Sequence, residues 1–206
     1  MTELIDNLTQ LLMALLGFVF SGTGYLKRRH RPLFLLSCFY GCFALGTLYW
    51  LLYTQLITDS PPIFYVSDIS WISCFLFLLL LEFDVAGEGL RVYKCRASWL
   101  ALAVEIPLTV YFISIGDVIY NIIIGALMTV MYWQGIRSAV WARRHERCKL
   151  AFYLVLLCFL TLENCLWLSS YPWIGDTLVN PYFWFDFAVT ASIFALYPAL
   201  RRTVAV

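Results

Sequence analysis

The chain has 206 residues, of which 62% are hydrophobic and 13% charged, and its mean hydropathy is +0.80. A soluble domain is usually about half apolar and a quarter charged. A core of this size cannot bury so much apolar surface, so the excess has to face lipid and a soluble protein is excluded. The net charge of only +1 hides an uneven distribution of charge along the chain.

Seven apolar segments follow one another along the sequence. A bilayer core of about 30 Å needs roughly 20 apolar residues per helix. The apolar stretch 99–141 is too long for one helix, and it divides at a short predicted turn at 114–117. A second turn, at 58–62, contains two prolines. We therefore predict an all-α integral membrane domain that spans residues 1–206, with transmembrane helices at about 5–26, 32–57, 64–83, 99–115, 117–141, 150–170 and 181–200.

Charge is sorted between the two ends of these helices. With seven spans, all 14 Lys and Arg residues fall on one side or at the helix ends there, in basic stretches such as 27–31 and 143–149. Positive residues stay cytoplasmic, so the N-terminus is predicted outside and the C-terminus inside, in a multi-pass protein of the cell membrane. The first segment is expected to be retained, because a cleaved signal would begin with basic residues. The opposite side has only acids: Glu3, Asp6, Asp59, Asp117 and Asp176.

Three sequence features recur at a nearly constant offset. Arg-Arg-His occurs at 28–30 and 143–145, Trp50 is matched by Trp167, and Asp68 by Asp186, at offsets of 115, 117 and 118. This favours two parallel three-helix units, 5–83 and 117–200, joined by a linker helix at 99–115. The alternative is that basic loops and aromatic belts recur in any membrane protein.

The layout of three, one and three helices resembles the sugar-transporter-like membrane proteins, and the helix count is similar to that of the microbial rhodopsins. The Pro-Gln motif of the first group is absent from this sequence. A rhodopsin needs a lysine in its last helix for retinal, but the lysines here are Lys27, Lys94 and Lys149. Thr190 stands where that lysine would be expected. Each resemblance is one of organisation, and no cofactor is expected.

Four acids inside the predicted spans stand out: Asp68, Glu105, Glu163 and Asp186. Ionisable groups inside a membrane are costly and are candidates for function by default. All except Glu105 lie in the outer half, which predicts a cavity open to the outside. Glu105 lies near Pro107, whose ring frees a backbone carbonyl, so a local structural role is its alternative.

Helical spacing places aromatic and polar side chains beside three of these acids. The acids share helix faces with Trp71, Trp167 and a stripe on the last segment. We predict a ligand-binding set of Asp68, Trp71, Glu163, Asn164, Trp167, Tyr182, Asp186 and Thr190. An acid beside Trp or Tyr suits an organic cation, through charge and cation–π attraction. Other interpretations are a protonated acid that bonds a neutral ligand, a carboxyl pair that holds a proton or a metal ion, and a protonated acid that only joins two helices.

We expect a transporter or permease for a small solute, with a cation or amine favoured. The alternatives are a ligand-sensing seven-helix receptor module that signals through a partner, and a structural membrane subunit. An intramembrane enzyme is disfavoured, because the only histidines, His30 and His145, lie in basic loops and no nucleophile motif is present. The expected partners are membrane lipids, the solute, and a second copy or a signalling protein; no nucleic acid is expected.

Overall fold

The computed structural model describes residues 1–57, 66–91, 93–172 and 175–204. The helices in these ranges are α1 (Thr2–Arg28), α2 (Arg31–Ile57), α3 (Val66–Ala86), the one-turn α4 (Glu88–Arg91), α5 (Trp99–Ile115), α6 (Val118–His145), α7 (Arg147–Ser170) and α8 (Pro181–Val204). Within the described ranges, seven helices are long and apolar enough to cross a membrane. This confirms the all-helical class with seven potential spans, and it is compatible with a multi-pass membrane protein. The predicted turn at 58–62 lies outside the described residues.

The helices extend further into the basic stretches than the sequence predicted. The stretch 143–149 was expected to be a loop, but only Glu146 separates α6 from α7. Between α1 and α2 only two residues are not helical, and Arg29 closes α1 in the left-handed conformation with φ 54°, its N–H bonded to the Tyr25 carbonyl at 2.7 Å. Lys and Arg at a helix C-terminus interact favourably with the last carbonyls, so basic residues prolong these helices instead of ending them.

Helix α1 has its polar face turned inward. Its buried residues are Asp6, Gln10, Ala14, Gly17 and Ser21, which recur every three or four positions. Its large aliphatic side chains, including Ile5, Leu8, Leu12 and Leu15, are about half exposed. This is the reverse of a water-soluble amphipathic helix, whose apolar stripe faces the core. It is the arrangement expected where the surrounding solvent is lipid and the polar groups bond inside the bundle.

Six of the long helices pack as a closed ring in the order α1, α2, α3, α6, α7, α8, with α8 returning to α1. Helix α5 lies outside this ring against α6, and its buried side chains are only Ala101 and Glu105. Two three-helix units joined by a connecting helix would give the same order of contacts. The repeat itself stays a prediction.

A layer of large side chains fills the middle of the ring. Phe39 and Phe159 are almost fully buried, and their ring centroids are 6.0 Å apart in an edge-to-face arrangement. Tyr40 packs over Gly17, where an added Cβ would come within 2.5 Å of the tyrosine ring. The Tyr40 hydroxyl donates to the Ile193 carbonyl at 2.7 Å, which joins α2 to α8. This layer forms the floor beneath the site described next.

Candidate ligand cavity

A cavity of about 480 Å³ lies at the end of the bundle where α1 begins. Every long helix contributes to its wall, mainly through the N-terminal halves of α1, α3, α6 and α8 and the C-terminal halves of α2, α5 and α7. Four acids line it, and no Lys, Arg or His is among the described residues of its lining. The acids are Asp68, Asp117, Glu163 and Asp186, and the aromatic residues are Phe43, Trp50, Trp71, Phe75, Phe112, Tyr120, Phe159, Trp167, Tyr171 and Tyr182.

The structure brings six of the eight predicted site residues together around this cavity: Asp68, Trp71, Glu163, Trp167, Tyr182 and Asp186. Asn164 and Thr190 are buried but do not line it. Thr190 lies one turn further along α8 than Asp186, towards the apolar floor. We therefore leave these two residues out of the proposed ligand contacts, and their binding role stays a prediction from spacing alone.

The start of α8 sets the position of two cavity residues. Pro181 is the first helical residue, where its fixed φ suits a helix start and its missing N–H costs nothing. The Asn180 side chain accepts a hydrogen bond from the Tyr182 N–H at 3.0 Å. Tyr182 and Asp186, four residues apart, then lie on one face of the helix. That face is turned towards the cavity.

Asp186 is held by residues that the sequence reasoning did not select. The Gln10 side-chain amide donates to Asp186 Oδ1 at 2.6 Å, and Thr47 donates to Gln10 Oε1 at 3.2 Å. Asp6, which the sequence places among the acids of the outer side, is 2% exposed and lies against Asp186. The four-residue spacing of Asp6 and Gln10 indicates that the two side chains share one face of α1, which is the sequence signal that could have placed them together.

Glu163 lies in the cavity wall on α7 and is 6% exposed. Its side chain interacts with that of Trp167, one turn away. The neighbouring Asn164 reaches α5, where its Nδ2 donates to Glu105 Oε1 at 2.6 Å. Asn164 thus joins α7 to the peripheral α5 through Glu105, a bond between helices that differs from the local role at Pro107 considered from the sequence.

Two polar residues at the start of α6 also shape the cavity. The Asp117 carboxylate caps the helix by accepting the Tyr120 N–H at 2.7 Å. Asn121 Nδ2 donates to the Phe112 carbonyl at 3.0 Å, which fixes the end of α5 beside α6. These bonds confirm the predicted turn at 114–117. They also show that Asp117 and Asn121 stabilise the junction between α5 and α6.

Aromatic pairs stand on two sides of the cavity. Trp50 and Trp71 have ring centroids 5.9 Å apart, and Tyr120 and Trp167 are 6.5 Å apart. Gly46 makes room for the Trp71 indole, since an added Cβ there would lie 2.8 Å from Trp71 Nε1. Aromatic faces near several carboxyl groups are well suited to a cation.

The rim of the cavity is tied to α1 through the loop before α8. The Asp176 carboxylate pairs with the N-terminal ammonium of Met1 and accepts the Glu3 N–H at 2.8 Å. These hydrogen bonds, first the one from the ammonium, hold the pKa of the exposed Asp176 below its ordinary value of 3.8.

A different acidic residue is buried at the opposite end of the bundle. Glu82 on α3 is 0% exposed, and neither carboxyl oxygen has a hydrogen-bond partner among the described residues. Gly135 on α6 faces it, since an added Cβ there would lie 3.3 Å from Glu82 Oε1. The nearby Arg137 guanidinium donates instead to Gln134 Oε1, at 2.6 Å.

In the described part of the chain, no group of three or more His, Cys, Asp or Glu side chains is arranged to hold a metal ion. The chain was compared with known protein families, with curated proteins and with solved structures, and none of the three comparisons found a match.

Proposed function

We propose that this chain is a multi-pass membrane protein that binds a small organic cation or amine in the cavity and transports it across the membrane. One observation supports this most strongly. The cavity wall combines four acids with ten aromatic side chains and no basic residue among its described lining. A cation entering it would meet both carboxylate charge and aromatic faces.

The size of the cavity fits this ligand class. A volume of about 480 Å³ is within the usual range for small-molecule sites, of roughly 300–1,000 Å³. The walls are mainly apolar, with a few polar groups that can fix orientation. In the proposed orientation the cavity faces outside, because the basic residues lie at the other end and stay cytoplasmic.

Transport is tested by uptake of radiolabelled benzyltrimethylammonium into liposomes that contain the purified full-length protein. This ion has a fixed positive charge and one aromatic ring. We expect saturable uptake by wild type and none by Asp186→Asn. Glu105→Gln is the matched control, because it changes a buried carboxyl outside the main cavity lining, and it should retain uptake.

The same experiment separates transport from the other interpretations. Saturable binding without uptake would contradict transport and favour a ligand-sensing receptor module, for which a closed aromatic floor beneath the cavity is equally suitable. If the folded protein neither binds nor takes up the cation, the proposed function is wrong and the structural-subunit interpretation gains.

A further inference from the structure

Asp6 and Asp186 form a buried pair of carboxyl groups in the cavity wall. They are 2% and 4% exposed, on α1 and α8, and their side chains lie within hydrogen-bonding reach of each other. The two helices pack side by side, which brings together residues 180 positions apart. Of the two, only Asp186 lines the cavity, so Asp6 stands behind it as seen by a ligand.

The surroundings of the pair offer hydrogen bonds but no positive charge. Gln10 donates to Asp186 at 2.6 Å, and the Tyr182 side chain also bonds to it. The other acids that face the pair are Glu3 on α1 and Glu163 on α7. On α2, Thr47 donates a hydrogen bond to Gln10 and so contacts the pair only indirectly. No basic side chain of the described ranges acts on either carboxyl.

One oxygen of the pair is left without a partner. Asp6 Oδ1 is buried and accepts no hydrogen bond from any described residue. Two carboxylates in contact cannot both be charged without a counter-ion, so such a pair holds one shared proton or one cation. A cation that enters the cavity and reaches Asp186 supplies that counter-ion, and the proton is then no longer needed.

We propose that the Asp6–Asp186 pair exchanges its shared proton for the cation that binds in the cavity. This proposal rests on the proposed function, and it adds the coupling ion. One positive charge enters with the organic cation and one leaves as a proton to water, so the total charge of the site is unchanged. The substrate class is then a monovalent organic cation, and a proton gradient drives its movement.

The test measures protons released when benzyltrimethylammonium binds to the purified protein in a weakly buffered solution with a pH-indicating dye. The quaternary ion has no titratable proton, so every proton released comes from the protein. We expect about one proton per bound cation for wild type, as for a pair that shares one proton. We expect little or no release by Asp6→Asn. Glu82→Gln changes a buried carboxyl remote from the cavity and should release as much as wild type.

Each outcome decides a different statement. Wild-type binding without proton release overturns the exchange and leaves the proposed function standing. Release that persists in Asp6→Asn and disappears in Glu163→Gln assigns the proton to Glu163 and also overturns it. Absence of any binding by wild type contradicts the proposed function itself. If Asp6→Asn does not fold, the wild-type affinity decides: about tenfold tighter binding per pH unit supports the exchange, and a pH-independent affinity overturns it.

Discussion

Two buried acidic sites lie at opposite ends of the bundle, and their surroundings differ. At the cavity end, Asp186 accepts a hydrogen bond from Gln10 and lines a cavity of about 480 Å³. At the basic end, Glu82 is completely enclosed, and neither of its oxygens has a hydrogen-bond partner in the described part of the chain. Both residues would be selected by the rule that an intramembrane acid is a candidate for function.

The comparison shows that burial alone does not make an acidic side chain suitable for binding a ligand. Burial is similar at the two ends, but only Asp186 combines oriented donors, aromatic neighbours and an open side from which a ligand can approach. A buried carboxyl without partners costs stability, and Glu82 does not line the cavity. The proposed ligand binding therefore belongs to the cavity end, and we expect the two ends to respond differently to the same chemical change.

The largest expected effect is on ligand binding at the cavity end. Asp186→Asn and Glu163→Gln each remove one buried charge that would face a bound cation. Loss of such a partner costs about 2 kcal/mol or more, so we expect binding of benzyltrimethylammonium to weaken by about 30-fold or more. Isothermal titration calorimetry measures this change. Glu82→Gln, the same type of change at the other end, should bind like wild type, and equal weakening by all three variants would contradict the comparison.

The next effect concerns the stability of two buried glutamates. Glu82→Met removes two oxygens without hydrogen-bond partners and should stabilise the fold by about 1–3 kcal/mol. Glu105→Met removes the hydrogen-bond partner of Asn164 and should destabilise the fold by a similar amount. Melting temperatures of the purified variants measure both changes: a rise is expected for Glu82→Met and a fall for Glu105→Met. A destabilised Glu82→Met would indicate that Glu82 contributes to the fold as Glu105 does, and the contrast between the two would be lost.

A smaller effect is expected from the aromatic wall. Replacing Trp71 or Trp167 by Leu keeps an apolar side chain and removes the ring face, worth about 0.5–2 kcal/mol to a bound cation. This corresponds to binding weakened by roughly 2- to 30-fold. Trp99→Leu is the control, since Trp99 is 63% exposed and packs against Trp133 away from the cavity. Equal losses in all three variants would point to a general loss of packing.

The smallest expected effect is at the rim. The pKa of Asp176 lies below its ordinary value of 3.8, so its bonds contribute above pH 3.8 and are lost as the pH falls through the lowered value. We expect the Glu3 amide to be protected from hydrogen exchange at pH 6 and to lose that protection well below pH 3.8. Asp176→Ala, which removes the acceptor, should lack the protection at both pH values. A Glu3 amide that exchanges at the same rate in wild type and variant would contradict the hydrogen bond between Asp176 and Glu3.

The fold class and most of the candidate site could be predicted from the sequence, because both depend on local patterns. Apolar length gives the helices, and Asp186 and Tyr182 share a face by spacing alone. The partners across helices could not be predicted in this way. Contact between α1 and α8 brings Gln10 and Asp6 to Asp186, and contact between α5 and α7 joins Asn164 to Glu105.

The ends of the helices also could not be predicted from residue spacing. Basic residues were expected to mark loops, but at helix C-termini they favour the helix, and α6 continues to His145. A stripe of polar and small residues on α1, which includes Gln10, was visible in the sequence. Its small residues indicate close helix packing, but the pattern alone does not show that Asp6 and Gln10 face the last helix.

The most direct test of the central claim compares one cation with its uncharged isostere. Thermal shifts of purified wild type are measured with benzyltrimethylammonium and with neopentylbenzene, which has carbon in place of the charged nitrogen. The account predicts a saturable rise in melting temperature with the cation alone, and its loss in Asp186→Asn and Glu163→Gln. Equal stabilisation by both compounds, or by the cation in all variants, would show that the acids of the cavity do not recognise charge.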